Sequence, residues 1–261
     1  MTASRTARLL TFAVAAIVLS SCRVDTSVLL VVKPNGSGTV TVRAVADAAL
    51  VAKAPNLAAD VRVTDLKEAG WKVSGPTGGD DGSLSVELSR SFRTPAEATA
   101  ILAQINGPNG PLHAIGLART GSSTNSTWTL TGRLEVAGGM KAFADDNTVQ
   151  LLGGAPYADD IKAMGLDLGD AVGVSFNASL PGKVASTTGL ASNGTISWKV
   201  PMDGSATDVA TTVDNVDVAA SIAGFGRVIV LLLLVAWVVG AAILLVMVRN
   251  AQTRRPRTPR F

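Results

Sequence analysis

The chain has a single cysteine, Cys22, a single histidine, His113, and a single tyrosine. One cysteine can form no internal bridge and cannot assemble a cysteine-ligated zinc or iron–sulfur centre, so the fold does not rest on disulfides. One histidine, with no Gly-x-Ser-x-Gly elbow, leaves neither a Ser-His-Asp triad nor a histidine metal site with its parts, and His113 reads as a residue on a strand face. The Gly-Lys-Ser/Thr ending of a phosphate loop is missing, so "PTGGDDG" and "LLGGAP" read as turns. The Asp-x-Asp-x-Asp-Gly pattern of calcium loops is missing as well. The acid doublets Asp80/Asp81, Asp145/Asp146 and Asp159/Asp160 are poor metal ligands, because adjacent residues point to opposite faces of a strand and about 100° apart on a helix. They read as solvated loop and helix ends. The expectation is a protein that is not an enzyme, with no catalytic residues, no cofactor and no metal.

Aromatic residues make up 4% and charged residues 16% of the chain. These are low values for a soluble enzyme, and part of the bias comes from the two ends. "MTASRTAR" carries Arg5 and Arg8 without an acid, and "LLTFAVAAIVL" adds about eleven apolar residues, which is the layout of a secretory signal. A run of that length is shorter than the roughly 20 residues a membrane span needs. Leu19, Ser20, Ser21 and Cys22 then resemble the lipobox of bacterial lipoproteins. There a diacylglycerol is joined to the cysteine sulfur, and cleavage makes that cysteine the new N-terminus. Cys22 is thus the candidate lipid-attachment residue; the alternatives are an ordinary signal peptide with an incidental cysteine, or an uncleaved anchor.

At the other end, residues 228–248, "VIVLLLLVAWVVGAAILLVMV", carry no charge. About 21 helical residues at 1.5 Å each span roughly 31 Å, the thickness of a bilayer core. Arg227 precedes the run, and Arg249, Arg254, Arg255, Arg257 and Arg260 follow it without an acid. The positive-inside tendency then puts residues 249–261 in the cytoplasm and everything upstream outside. The expected divisions are a signal peptide at 1–21, an extracytoplasmic domain at 22–208, a connector at 209–227, a transmembrane helix at 228–248 and the tail at 249–261.

The formal charge of +3 is carried by those ends. Eight of the 23 basic residues lie in them, which leaves 15 against all 20 acids between Cys22 and Gly226, a net charge of −5. A mildly acidic domain is a poor partner for nucleic acid and has no unspecific attraction to anionic lipid heads.

Within the domain, "RVDTSVLLVVKPNGSGTVTVRAVAD" predicts two strands joined at the Asn-Gly turn, the first starting almost directly after Cys22. "APNLAADVRVTDLKEAG" predicts a helix with Leu57, Val61 and Leu66 as its apolar positions and Gly70 as its stop. "WKVSG" and "SLSVELSRSF" alternate as a strand pair around a Gly/Asp loop. Thr94, Pro95 and Glu97 open the clearest helix, with Ile101, Leu102 and Ile105 as its buried face and Gly107 beyond its end. "LHAIGLART" with "STWTLTGRLEV" predicts a further hairpin, and residues 138–168 a short helical region. "AVGVSFNASLPGKV" and "NGTISWKVPMDG" return to strands, and "ATDVATTVDNVDVAA" reads as a last strand running into a connector. Trp71, Trp128 and Trp198 all fall in predicted strands, where core packing is the default and lining a ligand the other option. The sum is an α+β fold, mainly an antiparallel sheet with a few helices.

The order "LSSCRVD", a strand with an Asn-Gly-Ser-Gly turn, "AGWKVSG", and Leu180–Val184 followed by Asn193, Gly194 and Trp198, with one C-terminal membrane helix, resembles the actinobacterial LppM-type envelope lipoproteins. The resemblance runs over nearly the whole chain. It implies an exported α+β domain tied to the cell envelope, Cys22 as the modified residue, and recognition of glycolipids such as mannosylated phosphatidylinositols. The expected partners are the membrane, through acylated Cys22 and the helix at 228–248, and a lipid or glycolipid ligand; the protein partner is unknown. The alternative is a non-catalytic structural or interaction protein that docks a membrane or wall-synthesis partner. An apolar cavity of roughly 300 Å³ or more would favour the lipid reading, and a filled core with an exposed apolar patch the alternative.

Overall fold

The computed structural model describes residues 22–60, 64–106, 109–122, 124–139, 142, 168–216, 230–235 and 237–238. Strands β1 (Val24–Val32) and β2 (Gly38–Ala46) form the expected first hairpin, paired without a break from Val24 opposite Ala46 to Val32 opposite Gly38. The Asn35 side-chain oxygen sets the turn by accepting from the Ser37 N–H at 3.0 Å, and Gly36 supplies the positive φ of 93°.

In place of the single helix expected over 54–70 stand the short helices α2 (Leu57–Asp60) and α3 (Thr64–Glu68), preceded by α1 (Ala48–Lys53), where no helix is expected. Asp47 starts α1 by accepting from the Leu50 N–H at 2.8 Å. Pro55 has no N–H to give to a helix interior, which separates α1 from α2. Val61 lies outside the described residues, Leu66 packs partly buried on the core, and Gly70 stops α3 with a φ of 85°.

Strands β3 (Lys72–Gly78) and β4 (Leu84–Phe92) pair as expected. Helix α4 (Pro95–Asn106) is capped at both partners of its opening signal: the Thr94 hydroxyl accepts from the Glu97 N–H at 3.2 Å, and the Glu97 carboxylate accepts from the Arg93 N–H at 2.7 Å. It buries Ala98, Ile101 and Leu102. Strands β5 (Leu112–Gly121) and β6 (Asn125–Glu135) form the next hairpin. The Thr99 hydroxyl on α4 accepts from the Leu117 N–H at 3.0 Å and so covers a backbone donor on β5, an edge strand.

A one-turn helix, α5 (Leu168–Ala171), leads into β7 (Val172–Ser179); the rest of the short helical region expected at 138–168 lies almost wholly outside the described residues. The segment from 183 to 199 was expected to give simple strands, but it changes sheet. Strand β8 (Lys183–Thr187) pairs with β11 (Ala206–Val216), whereas β9 (Leu190–Ser192) pairs with β10 (Thr195–Lys199) around Asn193 and Gly194. Thr188 makes the crossing: its hydroxyl donates to the Asp208 carbonyl at 2.7 Å and accepts from the Trp198 indole at 3.0 Å. Strand β11 runs past the boundary expected at 208, because Val209, Thr211 and Val213 alternate into the interior.

Two sheets result, one of seven strands in the order β3-β4-β2-β1-β7-β10-β9 and one of four in the order β5-β6-β11-β8. In the seven-stranded sheet β1 and β7 run parallel and every other ladder is antiparallel. Inner residues of both sheets, with α4, make one continuous core that includes Leu30, Val40, Leu102, Trp128, Phe176 and Val213. The chain is mixed α+β with strands predominating, as the sequence predicts.

The chain divides into two units after Asn215. In the second, residues 230–235 and 237–238 are helical and their apolar side chains are exposed, Leu233 by 65% and Trp237 by 76%. Among the described residues no helix is long and apolar enough to cross a membrane. Most of the span expected at 228–248 falls outside those residues, as do the signal at 1–21 and the tail at 249–261.

Candidate functional site

Cys22 is buried, 6% exposed, and in no disulfide. The fold takes hold of the chain one residue later. The Arg23 N–H donates to the Asp47 carboxylate at 3.0 Å, and the Asp47 N–H donates back to the Arg23 carbonyl at 2.9 Å. The Arg23 guanidinium donates through Nε to both Asp25 carboxylate oxygens at 2.9 Å and through Nη1 to the Gly169 carbonyl at 3.3 Å. An exposed ion pair of this kind adds little stability by itself. Its consequence is geometric: no flexible linker separates Cys22 from the sheet.

Next to this point the outer face of the seven-stranded sheet holds a cleft of about 250 Å³. Asp25 and Ser27 of β1 lie along its floor, Arg43 and Val45 of β2 on one side, and Gly173 and Ser175 of β7 on the other. Strand register sets that grouping, since Ser27 stands opposite Arg43 on β2 and opposite Ser175 on β7. At Gly173 the Arg23 and Asp25 side chains lie close over the strand: a Cβ there would come within 2.1 Å of an Asp25 carboxylate oxygen and 2.5 Å of Arg23 Nη2, so these exposed side-chain ends would have to shift to admit one. A second hollow of about 660 Å³ is lined by Leu168, Asp170, Pro201, Met202 and Asp203, among others. Both are open and mixed in polarity, and neither is the enclosed apolar chamber that lipid burial would use.

The other singled-out residues are dispersed. His113 sits on β5 with Nε2 3.2 Å from the Glu135 carbonyl oxygen. Asp81 and Asp203 each organise a tight turn, accepting from the backbone N–H and, at Asp203, also the hydroxyl of the serine two residues on. At both turns the nearby serine hydroxyl is first among the causes that hold the carboxyl below its ordinary aspartate value, and the backbone N–H bond is second. Asp145, Asp146, Asp159 and Asp160 lie outside the described residues. Among the described residues, no group of three or more His, Cys, Asp or Glu side chains is placed to hold a metal ion.

Trp71, Trp128 and Trp198 are all buried in the core, which is their default reading. Trp198 stacks on Phe176 with ring centroids 5.8 Å apart, and the Arg119 guanidinium lies 5.5 Å from the Trp128 ring. Arg43, Ser27, Ser175 and Gly173 were not singled out by sequence reasoning. Their proximity depends on the parallel pairing of β1 with β7, and nothing local to either strand encodes that partner.

No family model matches the chain, and no curated protein matches it. Among solved structures, the chain is similar to the folded domain of the Mycobacterium tuberculosis LppM protein, determined by NMR, with 15% sequence identity and a TM-score of 0.42, over 77% of this chain and 95% of that one. The likeness is a distant one, of fold.

Proposed function

We propose that this protein is a non-catalytic, membrane-anchored lipoprotein of the cell envelope whose extracytoplasmic domain binds the head groups of lipids or glycolipids. In this reading Cys22 is acylated after removal of residues 1–21, residues 228–248 span the membrane once, and residues 249–261 are cytoplasmic. The observation that carries it is the attachment of Arg23 to the fold immediately after Cys22, which leaves the open cleft of mixed polarity only three to five residues along β1 from the acyl group. The cleft, at about 250 Å³ and open, is not the apolar cavity of roughly 300 Å³ or more expected for lipid burial, so the lipid reading is narrowed here to head groups rather than acyl chains.

Because a single acyl-chain set binds a membrane reversibly and a membrane helix effectively irreversibly, the lipid on Cys22 is redundant for retention. Its role in this proposal is to orient β1 against the outer leaflet. The test compares full-length wild type with Cys22→Ser for membrane fractionation and for host lipid co-purifying in native mass spectrometry. Retention of both proteins with loss of co-purifying lipid from the variant is expected. Release of the variant would sink the membrane helix, equal lipid content would sink the orienting role, and wild type free of lipid would sink the lipid reading. The second reading, an interaction protein of the envelope, is favoured by the dense core around Trp128, Phe176 and Leu30.

A further inference from the structure

Arg43 stands in a row of outward-facing residues that crosses five strands. Strand register aligns Glu87 on β4, Arg43 on β2, Ser27 on β1, Ser175 on β7 and Lys199 on β10. Directly opposed residues share a face, and neighbouring strands are about 4.8 Å apart, so Arg43 and Lys199 are about 14 Å apart at their Cα atoms with two serine hydroxyls between them. Among the described residues, neither the Arg43 nor the Lys199 side chain makes a hydrogen bond or ion pair. Asp25, the acid inside the cleft, has both oxygens engaged by Arg23. Two cations without an ion pair thus face each other across hydroxyl donors, with Glu87 directly opposite Arg43 on its far side.

We propose that this row is a binding site for a phosphoryl anion, with Arg43 as its principal ligand, Lys199 as the opposing charge and Ser27 and Ser175 as donors from the floor. A planar guanidinium offers paired donors that match two phosphate oxygens, and the hydroxyls can serve the third. Since the domain is net acidic, affinity comes from these contacts and not from a diffuse field. The inference rests on the lipid reading above in one respect: the phosphoryl group is placed on a phospholipid head.

The test is calorimetric titration of the full chain in an uncharged detergent with three probes: dihexanoyl phosphatidic acid, dihexanoylglycerol and inorganic phosphate. Phosphatidic acid should bind, dihexanoylglycerol should not, and Arg43→Gln should weaken phosphatidic acid at least about tenfold while Arg43→Lys retains part of the affinity. Lys199→Gln should cause a smaller loss, and added salt should weaken every positive response. Binding of phosphatidic acid unchanged in Arg43→Gln would overturn the phosphoryl site and leave lipid binding standing. Inorganic phosphate bound as tightly as phosphatidic acid, with the same Arg43 dependence, would support the phosphoryl site and overturn its lipid source. Arg43 is exposed, so loss of the site would not be mistaken for loss of the fold.

Discussion

The two faces of the seven-stranded sheet are made by alternate residues of the same strands, yet they differ in polarity and in burial. Inward, β1, β2, β7 and β10 present Val28, Leu30, Val40, Phe176, Ile196 and Trp198, all nearly or fully buried. Outward, the same strands present Ser27, Thr41, Arg43, Ser175, Asn177 and Ser197, together with the half-buried Leu29, Val31 and Val45. The inner face carries stability and is intolerant of volume change. The outer face is hydroxyl-rich, and its charges gather at the end nearest Cys22. A single strand register therefore fixes both the core and the candidate site, and the two can be perturbed separately.

The largest separation comes from the inner face. Leu30→Ala removes a fully buried side chain from β1 and should lower unfolding free energy by about 2–5 kcal/mol in a denaturant titration. Loss below about 1 kcal/mol would mean that the interior is loosely packed. Gly38→Ala comes next, since a Cβ there would approach the Val31 carbonyl within 2.0 Å and the Phe92 ring within 2.4 Å. Backbone and a buried ring have little room to give, so a cost of about 1–3 kcal/mol in the same titration is expected. Thr94→Ala, which removes the cap of α4, should cost about 1 kcal/mol. On the outer face, Arg43→Gln should change stability by no more than about 0.5 kcal/mol while removing phosphoryl binding.

Acid gives the smallest effect. The carboxyls of Asp81 and Asp203 are held low by Ser83 and Ser205, so the charged form is favoured in the folded chain. Their contribution is present above the ordinary aspartate pKa and is lost as pH falls through the lowered folded values, below about pH 4. The protection of the Ser83 and Ser205 amides, measured as exchange relative to the intrinsic rate at each pH, should fall in that window. Asp81→Asn and Asp203→Asn should abolish the pH dependence at their own turns.

Features set by neighbouring residues were legible in the sequence. The Asn-Gly turn fixed the first hairpin, Thr94 with Glu97 fixed the start of α4, and alternation around Trp128 and Trp198 placed both rings inside. Features set by distant pairing were not. The β1–β7 contact joins segments about 150 residues apart, so the cleft built from Ser27, Arg43 and Ser175 had no local signal. The crossing at Thr188 was hidden for a similar reason: one continuous run of strand-forming residues serves two sheets, and only the Thr188 contacts to Asp208 and Trp198 mark the change. The length of β11 was underestimated because "ATDVATTVDNV" carries few large apolar residues, although Val209 and Val213 are 1% exposed.

In the proposed function the cleft serves a membrane surface only if the mature chain begins at Cys22 and is attached there. Intact-mass and peptide-level mass spectrometry of protein purified from its own host membranes reads this directly. The predicted result is an N-terminus at Cys22 carrying a diacylglyceryl group. Retention of residues 1–21, or an unmodified thiol at Cys22, would contradict it.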